Sequence, residues 1–183
     1  MTLADLDDET EKIIMGIWCV ETARDDGALV STVLYLLGMQ VKWHASASAG
    51  VDDEGYVTGM KTEAYPGVVP LDDLVRPEGW AKKRIDVSVI TSGLFRDLYS
   101  SQAVLMDNAF RMALACSYNT IKNNRTLIKT KEGAKLLEAL EFVMEGINYQ
   151  GIGSESLEDN CVAKHWIEDC LYYLSIGYNA TYA

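Results

Sequence analysis

The sequence VSVITSGLFRDLYSSQAVLMDNAFRMALA, residues 87–115, carries the pattern that decides the fold. It begins with a short run rich in β-branched residues, which is typical of a strand buried in a parallel sheet. Ser92 and Gly93 interrupt this run, and the charged pair Arg96 and Asp97 precedes a segment with helical periodicity. The pattern predicts a core strand followed by a helix over residues 97–116. The residues predicted to face inward are Leu98, Leu105, Ala109, Met112 and Cys116.

The N-terminal part of the chain repeats this order of elements. The apolar run KIIMGIWCV, residues 12–20, predicts a first buried strand, and the polar stretch ETARDDG follows it. Apolar residues at helical spacing between Leu29 and Leu37 predict a helix that stops at Gly38, and MQVKW then predicts a second strand. With RIDVSVIT as a third core strand, the chain is predicted to be α/β. We expect a three-layer, Rossmann-like parallel sheet with three core strands and a possible extra edge strand within residues 56–66.

The last third of the sequence has a different character. Residues 119–131 are polar and basic, and they are the predicted linker. Two helices are predicted after it, over residues 132–144 and 160–176. The predicted domains are therefore an α/β core over residues 1–118 and a helical extension over residues 119–183.

Composition narrows the range of functions. The 183 residues have a formal net charge of −11, so nucleic acid and anionic membrane surfaces are not expected partners. The acidic N-terminus has no apolar core of a secretion signal, and no apolar run approaches the ~18 residues of a membrane span. The four cysteines form no C-x-x-C pair, which favours free thiols in a reducing cytoplasm.

A ligand-binding crevice is predicted where the first and third core strands end, because ligands of open parallel sheets bind beyond the carboxyl ends of strands. The strand order 2-1-3 would make these two strands neighbours. Their following loops would then bring together Glu21, Thr22, Arg24, Ser92, Gly93, Arg96 and Asp97. Arg96 could hold a carboxylate of a ligand. Alternatively, it could pair with Glu21 or Asp97 and clamp the two loops, which is the usual role of charges at a helix start.

The segment NCVAKHWIEDC, residues 160–170, gathers several potential metal ligands. Cys161 and His165 share one helix face, whereas Cys170 lies about half a turn away around an ideal helix. These three side chains cannot converge on one ion from one helix, so we predict a core helix and no metal site. Its apolar stripe is predicted to be Val162, Trp166, Cys170 and Tyr173. His44 is predicted to be a solvent histidine, and neither a Walker pattern nor a G-x-G-x-x-G pattern occurs.

Two stretches of the chain resemble a known family. IWCVETARDDGALVSTVLYLLG and KKRIDVSVITSGLFRDLYSSQAVLMDNAFRMALA are similar to the large subunit of ATP-dependent cobalt and magnesium chelatases, the CobN/magnesium-chelatase H family. The matching motif residues are Trp18, Glu21, Thr22, Arg84, Asp86, Val87, Ser92, Gly93, Phe95, Arg96 and Asp97. EDNCVAKHWIEDCLYYLSIGYNAT also looks like the segment that follows in archaeal CobN-type chains.

The resemblance implies a domain of a tetrapyrrole-binding subunit that takes part in inserting cobalt or magnesium into a corrin- or porphyrin-type ring, as in cobalamin biosynthesis. AAA+ partner subunits would use ATP and Mg, and this chain would bind no cofactor directly. The sequence lacks the family's His-Gly-x-Leu-Glu-type motif and the stretch expected after GYNAT. We therefore interpret it as a piece of the C-terminal half, inactive alone. The alternatives are a stand-alone, non-catalytic tetrapyrrole-binding or scaffold module, and an unrelated small α/β enzyme.

Overall fold

The computed structural model describes residues 7, 9–45, 50–51, 57–58, 62–147 and 153–177. Six strands are described: β1 (Lys12–Ile17), β2 (Met39–Ala45), β3 (Gly50–Val51), β4 (Val57–Thr58), β5 (Thr62–Val68) and β6 (Asp86–Thr91). The helices are α1 (Cys19–Arg24), α2 (Ala28–Leu36), α3 (Gly93–Leu98), α4 (Ser100–Ala115), α5 (Tyr118–Lys122), α6 (Lys131–Met144) and α7 (Cys161–Ser175). Short 3-10 turns cover Leu71–Asp73 and Leu127–Lys129. None of these helices is both long enough and apolar enough to cross a membrane.

The predicted α/β class is confirmed, and so is the parallel pairing of the first and third core strands. β1 and β6 run parallel, with Ile13 opposite Val87 and Ile17 opposite Thr91. Ile13, Ile17 and Val87 are buried, so one face of this two-stranded sheet packs into the core. The adjacency required for the predicted crevice is therefore present.

The predicted place of the second strand in that sheet was wrong. β2 pairs antiparallel with β5, and in the described part of the chain it forms no ladder with β1. β5 lies where the extra edge strand was expected, and the hairpin-like pairing places Trp43 opposite Ala64. Residues 46–49, 52–56 and 59–61, between β2 and β5, lie outside the described residues.

The long helix predicted over residues 97–116 is two helices. Ser92 caps α3 by accepting a hydrogen bond from the Phe95 amide at 3.1 Å, so helical structure begins before the charged pair. Tyr99, with φ −119° and ψ 41°, separates α3 from α4. The break turns Leu98 outward, and its predicted burial was therefore wrong, whereas Leu105 and Ala109 are buried as predicted.

The described part of the chain contains two hydrophobic clusters. The first contains the inner residues of β1 and β6, the buried face of α2 and the first part of α4. The second is formed by the end of α4 together with α5, α6 and α7. The predicted linker contains most of α5 and a 3-10 turn, and α4 contributes to both clusters. The division into domains at residue 118 stays a prediction.

Candidate functional site at the carboxyl edge of the parallel strands

The carboxyl ends of β1 and β6 lie side by side. Ile17 and Thr91 are register partners, and the Thr91 hydroxyl donates a hydrogen bond to the Ile17 carbonyl at 2.8 Å. α1 begins two residues after β1, and α3 begins two residues after β6. The two polar segments chosen from the sequence therefore begin at the same edge of the sheet, where open parallel sheets bind ligands.

α1 presents two of its three predicted site residues to solvent. The side chains of Glu21 and Arg24 are exposed and approach each other to 3.8 Å along the helix. Thr22 is buried, and its hydroxyl donates to the Trp18 carbonyl at 2.9 Å. Thr22 thus fastens the first turn of α1, while Glu21 and Arg24 are accessible to a ligand.

α3 divides its predicted site residues in the same way. The Ser92 hydroxyl is occupied as the helix cap, whereas Gly93 is exposed at the first helical position. A Cβ atom added to Gly93 would meet only the Arg96 guanidinium, at 3.8 Å, and Gly93 does not have a left-handed φ. The absence of a side chain here leaves the backbone accessible to the close approach of a ligand.

Arg96 and Asp97 are exposed neighbours at this edge. Their side chains are 75% and 67% accessible, and the shortest distance between the guanidinium and the carboxylate is 3.5 Å. Both residues belong to α3, so this contact does not clamp one loop to the other. In the described part of the chain, no ion pair joins α1 to α3. Because exposed ion pairs contribute little stability, both arginines at the edge can exchange their partners for a ligand at small cost.

Apolar side chains beside these charges were not expected from the sequence. Ile14 and Ile90 are 70% and 54% exposed on the outer face of the β1–β6 sheet. The half-exposed Trp18 ring lies over Gly16, where an added Cβ atom would be 3.3 Å from the indole nitrogen. Ile14, Trp18 and Ile90 therefore form an exposed outer apolar face. Periodicity alone did not reveal it, because continuous apolar runs are typical of strands covered on both sides.

Two other residues of the family-like motifs have structural roles. Arg84 is completely buried, and its guanidinium makes a bidentate ion pair with Glu155 at 2.7 Å for each contact. Asp86 is 3.1 Å from the Lys12 ammonium group and 3.0 Å from Nδ1 of His165. These contacts tie the start of β6 to β1 and α7, on the side of the sheet away from the carboxyl edge.

The two cysteines of α7 belong to the helix packing, as predicted for a core helix. Cys161, Val162 and Cys170 are buried, and burial raises the pKa of the Cys170 thiol to about 11. No group of three candidate ligands that could hold a metal ion occurs among the described residues. Tyr173 was wrongly placed in the buried stripe, since it is exposed. The His44 side chain lies outside the described residues.

Comparison with known proteins gives two matches. A family model described as CobN/Magnesium Chelatase matches residues 3–144, a range that includes both segments of the carboxyl edge. An uncharacterized protein of Methanocaldococcus jannaschii is 34% identical over 102 residues, which are 56% of this chain. The aligned part is only 7% of that archaeal protein.

Proposed function

Because the chain belongs to the CobN/magnesium chelatase family, we propose that it is a domain of the tetrapyrrole-binding large subunit of an ATP-dependent metal chelatase. The proposed reaction inserts a divalent metal, cobalt or magnesium, into a corrin- or porphyrin-type ring, as in cobalamin-type biosynthesis. Cobalt is our first assignment, because the last segment resembles archaeal CobN-type chains. Membership of this family replaces the hypothesis of an unrelated α/β enzyme.

The observation that carries this proposal is the chemistry of the carboxyl edge. Arg24 and Arg96 are exposed guanidinium groups, and among the described residues each makes a weak ion pair within its own helix. Trp18 and Leu94 expose apolar surface at the starts of the same two helices. A tetrapyrrole combines a flat apolar ring with peripheral carboxylate or amide groups, and guanidinium groups bind carboxylates in a fixed, bidentate geometry.

We assign distinct tasks to the parts of the proposed complex. This domain would hold and orient the peripheral groups of the ring, and the divalent metal would arrive as a substrate. AAA+ partner subunits would hydrolyse ATP with Mg, which agrees with the lack of a Walker pattern in these 183 residues. We expect no metal insertion by the isolated chain, even with ATP and the partner subunits.

The test measures tetrapyrrole affinity in the large subunit that contains this domain. We expect the double variant Arg24→Gln/Arg96→Gln to bind uroporphyrin, a metal-free porphyrin with carboxylate side chains, at least about tenfold more weakly, since one charge-assisted hydrogen bond contributes ~1.5–3 kcal/mol. Its melting temperature should not change, because both side chains are exposed. The matched control is Arg125→Gln, an exposed arginine between α5 and α6.

Equal affinity of the double variant and the parent protein would contradict the assignment of the ring to this edge. A matched assay of metal insertion, with the partner subunits, ATP and cobalt, distinguishes catalysis from tetrapyrrole binding alone. Metal insertion by the parent protein, lost in the double variant, supports the chelatase assignment. Tight ring binding without insertion would favour the non-catalytic scaffold module.

A further inference from the structure

A cleft of about 370 Å³ lies away from the carboxyl edge, between β6, α4 and α7. Four consecutive residues of β6, from Asp86 to Val89, line this cleft. Successive side chains of a strand point to opposite faces of its sheet, so a cavity over one face would contact alternate residues. The consecutive lining shows that the cleft follows the edge of β6 that faces away from β1.

The backbone of β6 presents hydrogen-bonding groups to this cleft. The Asp86 amide donates to the Glu11 carbonyl at 2.9 Å, which fixes the register with β1. Alternate residues of a strand direct their amide and carbonyl groups to opposite edges, so those of Val87 and Val89 point into the cleft. Among the described strands, β6 pairs with β1 alone. Inward-facing backbone groups at a sheet edge favour pairing with a further strand.

The walls of the cleft match the surroundings of an interior strand. Phe110 and Leu114 of α4 line it together with Val162 and Trp166 of α7. The charged groups at its rim are already paired, since the Lys12 ammonium lies 3.1 Å from Asp86 and 3.6 Å from Asp169. Parallel sheets are normally covered by helices on both faces. The cleft therefore offers apolar walls, neutralised charges and backbone partners to an extended segment.

We propose that a β-strand from another part of the same chelatase large subunit lies in this cleft and extends the β1–β6 sheet along β6. This inference rests on the proposed function, because it takes the chain as one domain of a longer subunit. The residues aligned with the archaeal relative make up 7% of that protein. In a subunit of that length, many segments outside this domain could supply the strand, which supports an occupant from the same polypeptide. Apolar residues at alternate positions of the added strand would face Phe110 and Trp166.

The experiment places a photo-reactive phenylalanine analogue, p-benzoylphenylalanine, at Phe110 of the large subunit. Phe142 provides the matched control, because it is an exposed phenylalanine on α6 and does not line the cleft. After irradiation, the cross-linked peptides are identified by mass spectrometry. We expect the probe at Phe110 to cross-link to one segment of the same polypeptide outside residues 1–183, and the probe at Phe142 not to reach that segment. Cross-links from Phe110 only to residues 1–183, to a second copy or to a different protein would overturn the proposal.

Amide hydrogen exchange of the unmodified large subunit tests the same inference without a substitution. If a strand pairs with β6, the exchange rates of the Val87 and Val89 amides should lie within about tenfold of the rates of the Ser88 and Ile90 amides, which face β1. Exchange of Val87 and Val89 more than about a hundredfold faster would show an unpaired edge. Porphyrin affinity is measured on the same preparation. Intact ring binding with a failed strand test would remove this inference and leave the proposed function standing.

Discussion

Replacement of Glu155 should destabilise the whole chain, because this carboxylate is the anionic partner of the buried Arg84. The Arg84 side chain has no exposed surface, and it uses all its donors. Two bonds reach the Glu155 carboxylate at 2.7 Å, and the others reach the carbonyls of Leu37, Gly38 and Val69 at 2.9–3.0 Å. One guanidinium group thus joins the start of β6 to the end of α2, the end of β5 and the loop before α7.

The expected magnitude follows from what each substitution leaves behind. Glu155→Ala removes both charge-assisted bonds and leaves a buried cation with neutral partners only, which costs about 3–5 kcal/mol of unfolding free energy. Because the carbonyl of Gly38 and its neighbours still accept hydrogen bonds, we expect the lower half of that range. Glu155→Gln keeps one oxygen as an acceptor, so the loss should be smaller, at about 2 kcal/mol.

Urea unfolding followed by circular dichroism measures these differences, with the denaturant dependence checked for two-state behaviour. Glu138→Gln is the matched control, because Glu138 is exposed on α6, and its replacement should change stability by less than about 0.5 kcal/mol. A loss below about 1 kcal/mol for Glu155→Ala would refute the conclusion that this ion pair joins the four elements. An equal loss in the control would show that the effect is a general response to removed charge.

Two further predictions concern backbone and thiol chemistry. Gly38→Ala should lower the melting temperature more than Gly79→Ala. Both glycines have a left-handed φ, but of the two only Gly38 lies so close to the buried Arg84 guanidinium that an added Cβ atom would collide with it. Thermal unfolding of the two variants measures the difference, and equal losses would contradict the close contact. Burial raises the pKa of the Cys116 thiol to about 12 and that of the Cys170 thiol to about 11. At pH 8 the native chain should therefore react with DTNB mainly at the partly exposed Cys19, and all four thiols should react only after unfolding. Rapid labelling of Cys116 in the native chain would contradict its burial.

The residues of the family-like motifs have different tasks, and their positions in the fold separate them. Arg84 and Asp86 lie where β6 begins and make buried or half-buried contacts. Arg96 and Asp97 lie beyond its carboxyl end and are exposed. A motif that spans a whole strand therefore combines residues that stabilise the strand with residues available to a ligand. The Glu155 and Arg96 variants should consequently differ, the first lowering stability and the second lowering tetrapyrrole affinity.

Local patterns were sufficient to predict most helices and strands. Apolar residues at helical spacing predicted α2 and α6 closely, and Gly38 ends α2 with a φ of 70°. The apolar runs predicted β1 and β6. The first run was predicted to extend to residue 20 and to be followed by a loop, whereas β1 ends at Ile17 and α1 follows. These features depend on residues that are near in sequence, so the sequence contains the information directly. The position of Arg96 at the end of β6 was predictable for the same reason.

The tertiary structure alone decided which segments meet. The pairing of β2 with β5 could not be predicted from the sequence. Hydrogen bonding between strands depends on partners distant in sequence, and the apolar pattern of β2 fits either sheet. The same limit hid the partner of Arg84, since Glu155 lies 71 positions away in a stretch that reads as a polar loop. Exposure of Ile14 and Ile90 likewise depends on what covers the outer face of the sheet. Side-chain chemistry and local periodicity can therefore be read from the sequence, whereas the burial of side chains and the pairing of strands arise only when distant segments pack together.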